Sequence, residues 1–208
     1  MNRLAILGAS GHGKVVADTA ECAGWKEIDF YDDAWPEVKF NGVWSVIGNT
    51  EALLNDLSKY DGVVIAIGDN AIRVNKYKEL SSYKIKFVNI IHPAAQVSQY
   101  VELGLANVIM AGAIINADSI LGDCCIINTG SIIEHDCKLA DGVHVSPGAH
   151  LAGGVIIGDS SWVGIGANIL QSINIESNVL VGAGSVVINN IKEGCTVVGI
   201  PAKIIKNK

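Results

Sequence analysis

His135 stands between two carboxylates, in the run Ile133, Glu134, His135, Asp136. An imidazole has an unperturbed pKa near 6.5, so it can take a proton at working pH. A carboxylate on one ring nitrogen fixes the tautomer and stabilises the imidazolium that forms. That pairing suits a general base acting on an amine or hydroxyl, with Asp136 as the group that orients the ring. His144 and His150 follow at intervals of nine and six residues, too irregular in register for a zinc cage. A second cluster opens the chain: Gly8, Ala9, Ser10, Gly11, His12 and Gly13, with Asp32 and Asp33 about twenty residues on. A glycine loop between a strand and a helix N-terminus favours a phosphate, and an acidic residue at the next strand end commonly accepts from a ribose hydroxyl. The order GxxGxG departs from the dinucleotide fingerprint GxGxxG, which argues against a nicotinamide cofactor.

The element that must carry His135 is a ladder. Every sixth residue from Ile91 to Val187 is aliphatic, without an insertion. A fixed period of six matches neither a helix nor a simple alternating strand, and marks a solenoid. Small residues recur four places after each aliphatic, among them Ala113, Ser119, Cys125, Ser131, Cys137 and Ala149. They lie two before the next aliphatic, so both point to the same side of a short strand. Three such units, 3 × 6 = 18 residues, close one triangular coil. The expected hexad is an aliphatic, a small turn former, two free positions, a small inward residue and an outward one. Position 135 + 18 = 153, so Gly153 is expected one coil above His135, leaving room for an acyl thioester beside the ring. His144 and His150 fall at outward positions on strand faces, whereas Cys125 and Cys137 fall inward, which removes Cys137 as an acyl-enzyme nucleophile.

Before the ladder the pattern alternates. Strands are expected at Arg3–Leu7, Ile28–Tyr31, Gly62–Ile67 and Ile85–Ile91, and helices from Lys14 to about Ala23, at Thr50–Leu57 and at Ala71–Leu80. That alternation predicts a small parallel sheet with flanking helices. Residues 1–90 hold 22 of the 36 charged side chains, which sets a domain boundary near Asn89–His92. The expected domains are therefore 1–90 and 91–208. The net charge of −6 argues against nucleic acid or an anionic membrane as partner. No signal-peptide pattern opens the sequence, and the five cysteines form no CxxC spacing, so a reducing cytoplasm is expected.

The glycine-loop domain, the unbroken hexapeptide ladder, the His135 to His144 segment and the closing Gly199, Ile200, Pro201, Ala202, Lys203 together resemble the NeuD/PglD family of bacterial sugar acetyltransferases. The resemblance spans essentially the whole chain. It implies a Rossmann-like parallel α/β domain followed by a left-handed parallel β-helix. The implied reaction is acetyl-CoA-dependent acetylation of the 4-amino group of a nucleotide-linked 4-amino-4,6-dideoxysugar, by direct attack and without a metal. UDP is the expected nucleotide, with dTDP and GDP as open alternatives. By this resemblance His135 is the base and Asp136 orients it. His144, Gly153, Ile165, Gly182 and Ala183 match acetyl-CoA-contacting positions. Ser10, Gly11, His12, Asp32 and Asp33 match nucleotide-sugar contacts, and Gly68 sits at the end of the neighbouring strand. Lys203 and Lys206 are candidates for the CoA phosphates. Asp136 replaces a longer Glu found in some relatives, and Ala183 replaces a Gly. No long loop leaves the ladder, so acceptor recognition is expected from the amino-terminal domain. Because His135 lies at a corner and His144 on a different face, a homotrimer with active sites between subunits is expected. O-acetylation of a sialic acid-type sugar, a γ-type carbonic anhydrase and a non-catalytic nucleotide-sensing scaffold are the competing readings.

Overall fold

The computed structural model describes residues 2–206, which divide into two compact units between Pro93 and Ala94. In the first, β1 (Arg3–Leu7) leads into α1 (Gly11–Cys22), followed by β2 (Glu27–Tyr31), β3 (Phe40–Asn41) and β4 (Trp44–Gly48). Helix α2 (Thr50–Asp56), β5 (Gly62–Ile65) and α3 (Asn70–Leu80) complete it. The sheet order is β3-β4-β2-β1-β5, with β1 parallel to both β2 and β5. Leu4, Ala5, Ile6 and Leu7 of the inner strand β1 are buried, and so are Val64 and Ile65 of β5, as parallel strands covered on both faces require. Side chains cap two of the helices: Asn49 accepts from Ala52 N–H at the start of α2, and Asp69 from Ile72 N–H at the start of α3.

Several boundaries depart from the expected ones. Helix α1 begins at Gly11 rather than Lys14, so Gly11, His12 and Gly13 form its first turn. Gly13 is required by close approach, since a Cβ there would collide with the Gly8 carbonyl oxygen. The third strand stops at Ile65, and the expected strand Ile85–Ile91 reduces to a bridge at Phe87 and the short pair Ile90–Ile91. The β3–β4 hairpin was not expected at all. It turns at Gly42-Val43, between the paired Asn41 and Trp44, and Gly42 takes the positive φ of +69° that the first turn position requires.

The second unit is a left-handed parallel β-helix with three faces of two-residue rungs. One face carries Ile114–Ile115, Ile132–Ile133, His150–Leu151 and Asn168–Ile169. The second carries Ile120–Leu121, Lys138–Leu139 and Ile156–Ile157, and the third Ile126–Ile127, His144–Val145, Trp162–Val163 and Leu180–Val181. Neighbouring rungs pair in parallel 18 residues apart, as in Ile133↔Leu151 and Val145↔Val163. The aliphatic and small positions fill the interior: Ile133, Cys137, Val145, Ala149 and Leu151 are fully buried. The fourth position of the hexad, expected to be free, is constrained. From Ala106 to Gly184 it has positive φ at every repeat, half of them glycine and the rest Ala, Asp, Cys, Ser or Asn. Each corner needs one left-handed residue to redirect the chain.

One corner is held by a carboxylate ladder. Asp123 Oδ1 accepts from Leu105 N–H at 2.7 Å, Asp141 Oδ1 from Asp123 N–H at 2.8 Å, and Asp159 Oδ1 from Asp141 N–H at 3.1 Å. These bonds satisfy corner amides that no rung can reach. Gly122 is needed beneath them, because a Cβ there would overlap Asp141.

Candidate active site

His135 occupies the third position of its hexad, at the corner after Ile132–Ile133. Its Nδ1 lies 2.7 Å from Asp136 Oδ2, and both side chains are 65% exposed. Asp136 has φ of +61°, the left-handed corner conformation, so the turn itself brings the carboxylate back to the preceding ring. That hydrogen bond raises the His135 pKa above the ordinary value. The charges of Asp136 and Glu134 add to it, against a smaller opposing effect of burial. With Asp136 at Nδ1, the proton sits there and Nε2 is left as the basic nitrogen. Glu134 is itself held by Asn116 Nδ2 at 2.8 Å.

Gly153 lies one coil on, and Gly154 N–H donates to the His135 carbonyl at 2.9 Å. A Cβ on Gly153 would come within 2.6 Å of His135 Cε1 and 2.7 Å of Nε2. The space left by this glycine is therefore filled by the imidazole, not held open for a thioester. Glu134 and His150 line a cavity of about 240 Å³ with Ala152 and Asn168, and His150 is exposed on its face. Cys137 points inward, fully buried, and burial pushes its thiol pKa up.

The third face carries a largely apolar cavity of about 230 Å³. Ser146, Trp162, Leu180 and Val181 line it together with the expected Ile165, Gly182 and Ala183. Trp162 is not among the expected site residues, although it is the single tryptophan of the ladder and stands at an outward position. His144 departs from its expected exposure: it is only 8% exposed. Its ring stacks on Trp162 at 5.0 Å with 15° between planes, and its Nε2 lies 3.2 Å from Asn128 Nδ2. An outward position is buried here because flat neighbours on adjacent coils cover it. His144 stands behind Trp162 and is not among the residues lining the cavity.

In the amino-terminal unit a cavity of about 260 Å³ opens at the C-terminal ends of β1, β2 and β5. Ser10, Asp32 and Asp33 line it as expected, with Leu7, Gly8, Ile67, Ile72 and Lys76; Gly11, His12 and Gly68 do not. Ile72 and Lys76, four apart on α3, share a helix face, a spacing that could have pointed to them. Asp32 fastens the glycine loop, with Oδ2 accepting from Ala9 N–H at 2.7 Å and Oδ1 from Ala34 N–H at 2.9 Å. Each oxygen keeps a second lone pair for a ligand. Asp33 accepts from Thr50 N–H at 2.9 Å and pairs with Lys76 Nζ at 3.3 Å. Burial works to raise its pKa, but these bonds outweigh it and lower the carboxyl. For Lys76 burial works downward, and its pairs with Asp33 and Glu79 prevail and raise it. His12 packs inward with Nε2 enclosed. Burial, with the Arg73 charge, lowers its pKa to about 4, so it is neutral at pH 7. Arg73 is buried, donating to the carbonyls of Ile67 and Gly68 and to Asn70 Oδ1. It thereby fixes the loop that walls the cavity. Among the described residues no three His, Cys, Asp or Glu side chains are grouped to hold a metal ion, and no helix is long and apolar enough to cross a membrane.

Residues 3–80 match the PglD N-terminal domain family. A UDP-N-acetylbacillosamine N-acetyltransferase from Bacillus subtilis (strain 168) is 37% identical over 117 residues, 53% of this chain. That match spans 52% of the relative's own length. Two solved structures match over nearly the full length. The acetyltransferase domain of PglB from Neisseria gonorrhoeae FA1090, in complex with acetyl coenzyme A, is 41% identical with a TM-score of 0.93, covering 98% of each chain. A mutant of perosamine N-acetyltransferase from Caulobacter crescentus, in complex with CoA and GDP-perosamine, is 36% identical with a TM-score of 0.93, covering 98% of this chain and 97% of its own. On these full-length matches the chain belongs to the NeuD/PglD-type family of hexapeptide-repeat sugar acetyltransferases.

Proposed function

We propose that this protein transfers the acetyl group of acetyl-CoA to the 4-amino group of a nucleotide-linked 4-amino-4,6-dideoxysugar, with His135 as general base. One observation carries the reading: an exposed imidazole whose Nδ1 is tied to Asp136 at 2.7 Å and whose far edge rests on Gly153. The relatives that bind acetyl-CoA, or CoA with GDP-perosamine, support the substrate classes. The amine attacks the thioester carbonyl as a neutral nucleophile. His135 Nε2 accepts the proton that nitrogen loses, and Asp136 stabilises the resulting imidazolium. The carbonyl oxygen becomes an oxyanion, for which the Gly153 backbone N–H beside the ring is the proposed donor. The intermediate collapses with loss of the CoA thiolate, which takes the proton from the His135 imidazolium to leave as the thiol, restoring the neutral base. Cys137 is fully buried, so transfer is direct and no acyl-enzyme forms.

The acyl donor occupies the apolar face at Ile165, Gly182 and Ala183, and Lys203 and Lys206 pair with its phosphates. The nucleotide occupies the cavity at Ser10, Asp32 and Asp33, and Gly11, His12 and Gly68, which do not line it, are given no contact. The amino-terminal domain thus recognises the acceptor and the β-helix carries the chemistry. Because His135 and the donor cavity lie at different faces of one β-helix, the working unit is a homotrimer with sites between subunits, acting in the cytoplasm. UDP is the favoured nucleotide, following the Bacillus subtilis relative. The test is thiol release from acetyl-CoA with UDP-, dTDP- and GDP-linked 4-amino-4,6-dideoxysugars. Release with a UDP-linked amine and none with the matching hydroxyl sugar is expected. Release with none of the panel would refute the proposal.

A further inference from the structure

The third face repeats one local bond on successive coils. Asn128 and Ser146 each hold the second position of a hexad, and each meets the outward ring sixteen residues later. Asn128 Nδ2 lies 3.2 Å from His144 Nε2, and Trp162 Nε1–H donates to Ser146 Oγ at 2.6 Å. The two rings therefore share one orientation, which is why they stack with only 15° between planes. The Asn128 amide is oriented by its other end, since Oδ1 accepts from Thr129 N–H at 2.8 Å and Thr129 Oγ1 at 3.4 Å. The group facing His144 Nε2 is thus the amide N–H, a donor. Nε2 must accept, which puts the proton on Nδ1 and keeps the ring neutral. An imidazolium would set two donors against each other at 3.2 Å. Nδ1 is enclosed from solvent, and the ring as a whole is 8% exposed, whereas Trp162 is 40% exposed and lines the cavity.

We propose that Trp162 is a contact residue for the acyl donor, and that His144 is its positioning residue, a neutral Nδ1-protonated ring that sets the indole without exchanging a proton. The identity of the ligand rests on the acetyltransferase reading above; the tautomer does not. The indole supplies a rigid apolar wall beside its rung neighbour Leu180, in the cavity that Ile165 also lines, suited to the slim arm that ends in the thioester. Asn128 and Ser146 fix the two rings from the corner, so the wall is set before ligand arrives.

Three measurements test this. The protein labelled with 5-fluorotryptophan has four fluorine signals, one per tryptophan, and the one missing in Trp162→Phe is Trp162. Calorimetry with CoA first establishes saturation. The Trp162 signal should then move on saturation with CoA. If CoA binds and that signal stays fixed, the contact proposal falls while the acetyltransferase reading stands. If CoA does not bind at all, both fall. Second, His144→Phe keeps a flat ring to stack. It should raise the acetyl-CoA KM by about 2–10-fold, the worth of an aromatic pair, with a smaller change in kcat. His144→Gln, which keeps a polar partner for Asn128 but cannot stack, should raise KM more than His144→Phe. A kcat loss of about 10²-fold or more at unchanged KM would make His144 a proton-transfer group and overturn the proposal. Third, long-range proton–nitrogen spectra at neutral pH should show His144 protonated at Nδ1 and bare at Nε2. A cationic or Nε2-protonated ring would overturn it.

Discussion

Replacing Asp136 by Asn separates the charge of the dyad from its shape. The corner requires φ near +61°, and Asn is among the few residues that accept the left-handed region readily. The Asn oxygen can still accept the Nδ1 proton, so the tautomer is kept and only the charge is lost. A charge-assisted bond of 2.7 Å is roughly twice as strong as a neutral one, but both partners are 65% exposed and water screens the pair. The loss should therefore be well below the ~10²–10⁴-fold carried by a general base, at about 10-fold in kcat/KM on the alkaline plateau. The pH dependence has a definite sign. The hydrogen bond to Asp136 is the largest cause of the raised His135 pKa, and the base works only when neutral. Removing the charge moves the acid limb of kcat/KM to lower pH. The ratio of wild-type to variant rate should then shrink as pH falls. The assay is the initial rate of thiol release at subsaturating substrate from about pH 5.5 to about pH 9. An acid limb that does not move, or a rate that does not fall, would refute the role given to Asp136.

Three further outcomes are expected. Gly153→Ala should fold normally, because the backbone there is unstrained, yet lose about 10–10²-fold in kcat since its Cβ displaces the His135 ring; thermal melts beside turnover numbers check both halves. His12 is neutral in the fold, with a pKa lowered to about 4 from 6.5, so the unfolded chain binds the proton first as pH falls. Stability is full above pH 6.5 and declines by up to about 3 kcal/mol toward pH 4, and urea melts of His12→Gln should be flatter across that window. Asp141→Ala should cost about 1–2 kcal/mol by orphaning the Asp123 amide, whereas Asp141→Asn, which keeps Oδ1, should cost distinctly less in the same melts.

The β-helix was legible because one signal, an aliphatic every sixth residue, sets register over its whole length. That register alone predicts that Gly153 stacks on His135 and that Cys137 turns inward. It misses the left-handed fourth position, because Asp118, Cys124, Asp136 and Ser160 share it with glycines and have no common chemistry beyond a tolerated φ. The burial of His144 was hidden for a related reason. Its position is outward by count, and only the identities of residues sixteen before and eighteen after decide what covers it. In the amino-terminal unit the strand–helix alternation was readable. That Asp32 spends its first lone pairs on Ala9 and Ala34, and that Lys76 reaches Asp33 across the sheet ends, are tertiary facts with no local pattern.

The mechanism turns on His135 removing the amine proton during acetyl transfer. The direct measurement is mass-spectrometric detection of the acetylated nucleotide sugar under single-turnover conditions, for wild type and His135→Ala, each shown by calorimetry to bind CoA and the acceptor. N-acetylated product is expected from wild type, and a rate lower by at least ~10²-fold in the variant, with both ligands still bound. Product formed by His135→Ala at a near wild-type rate would contradict it.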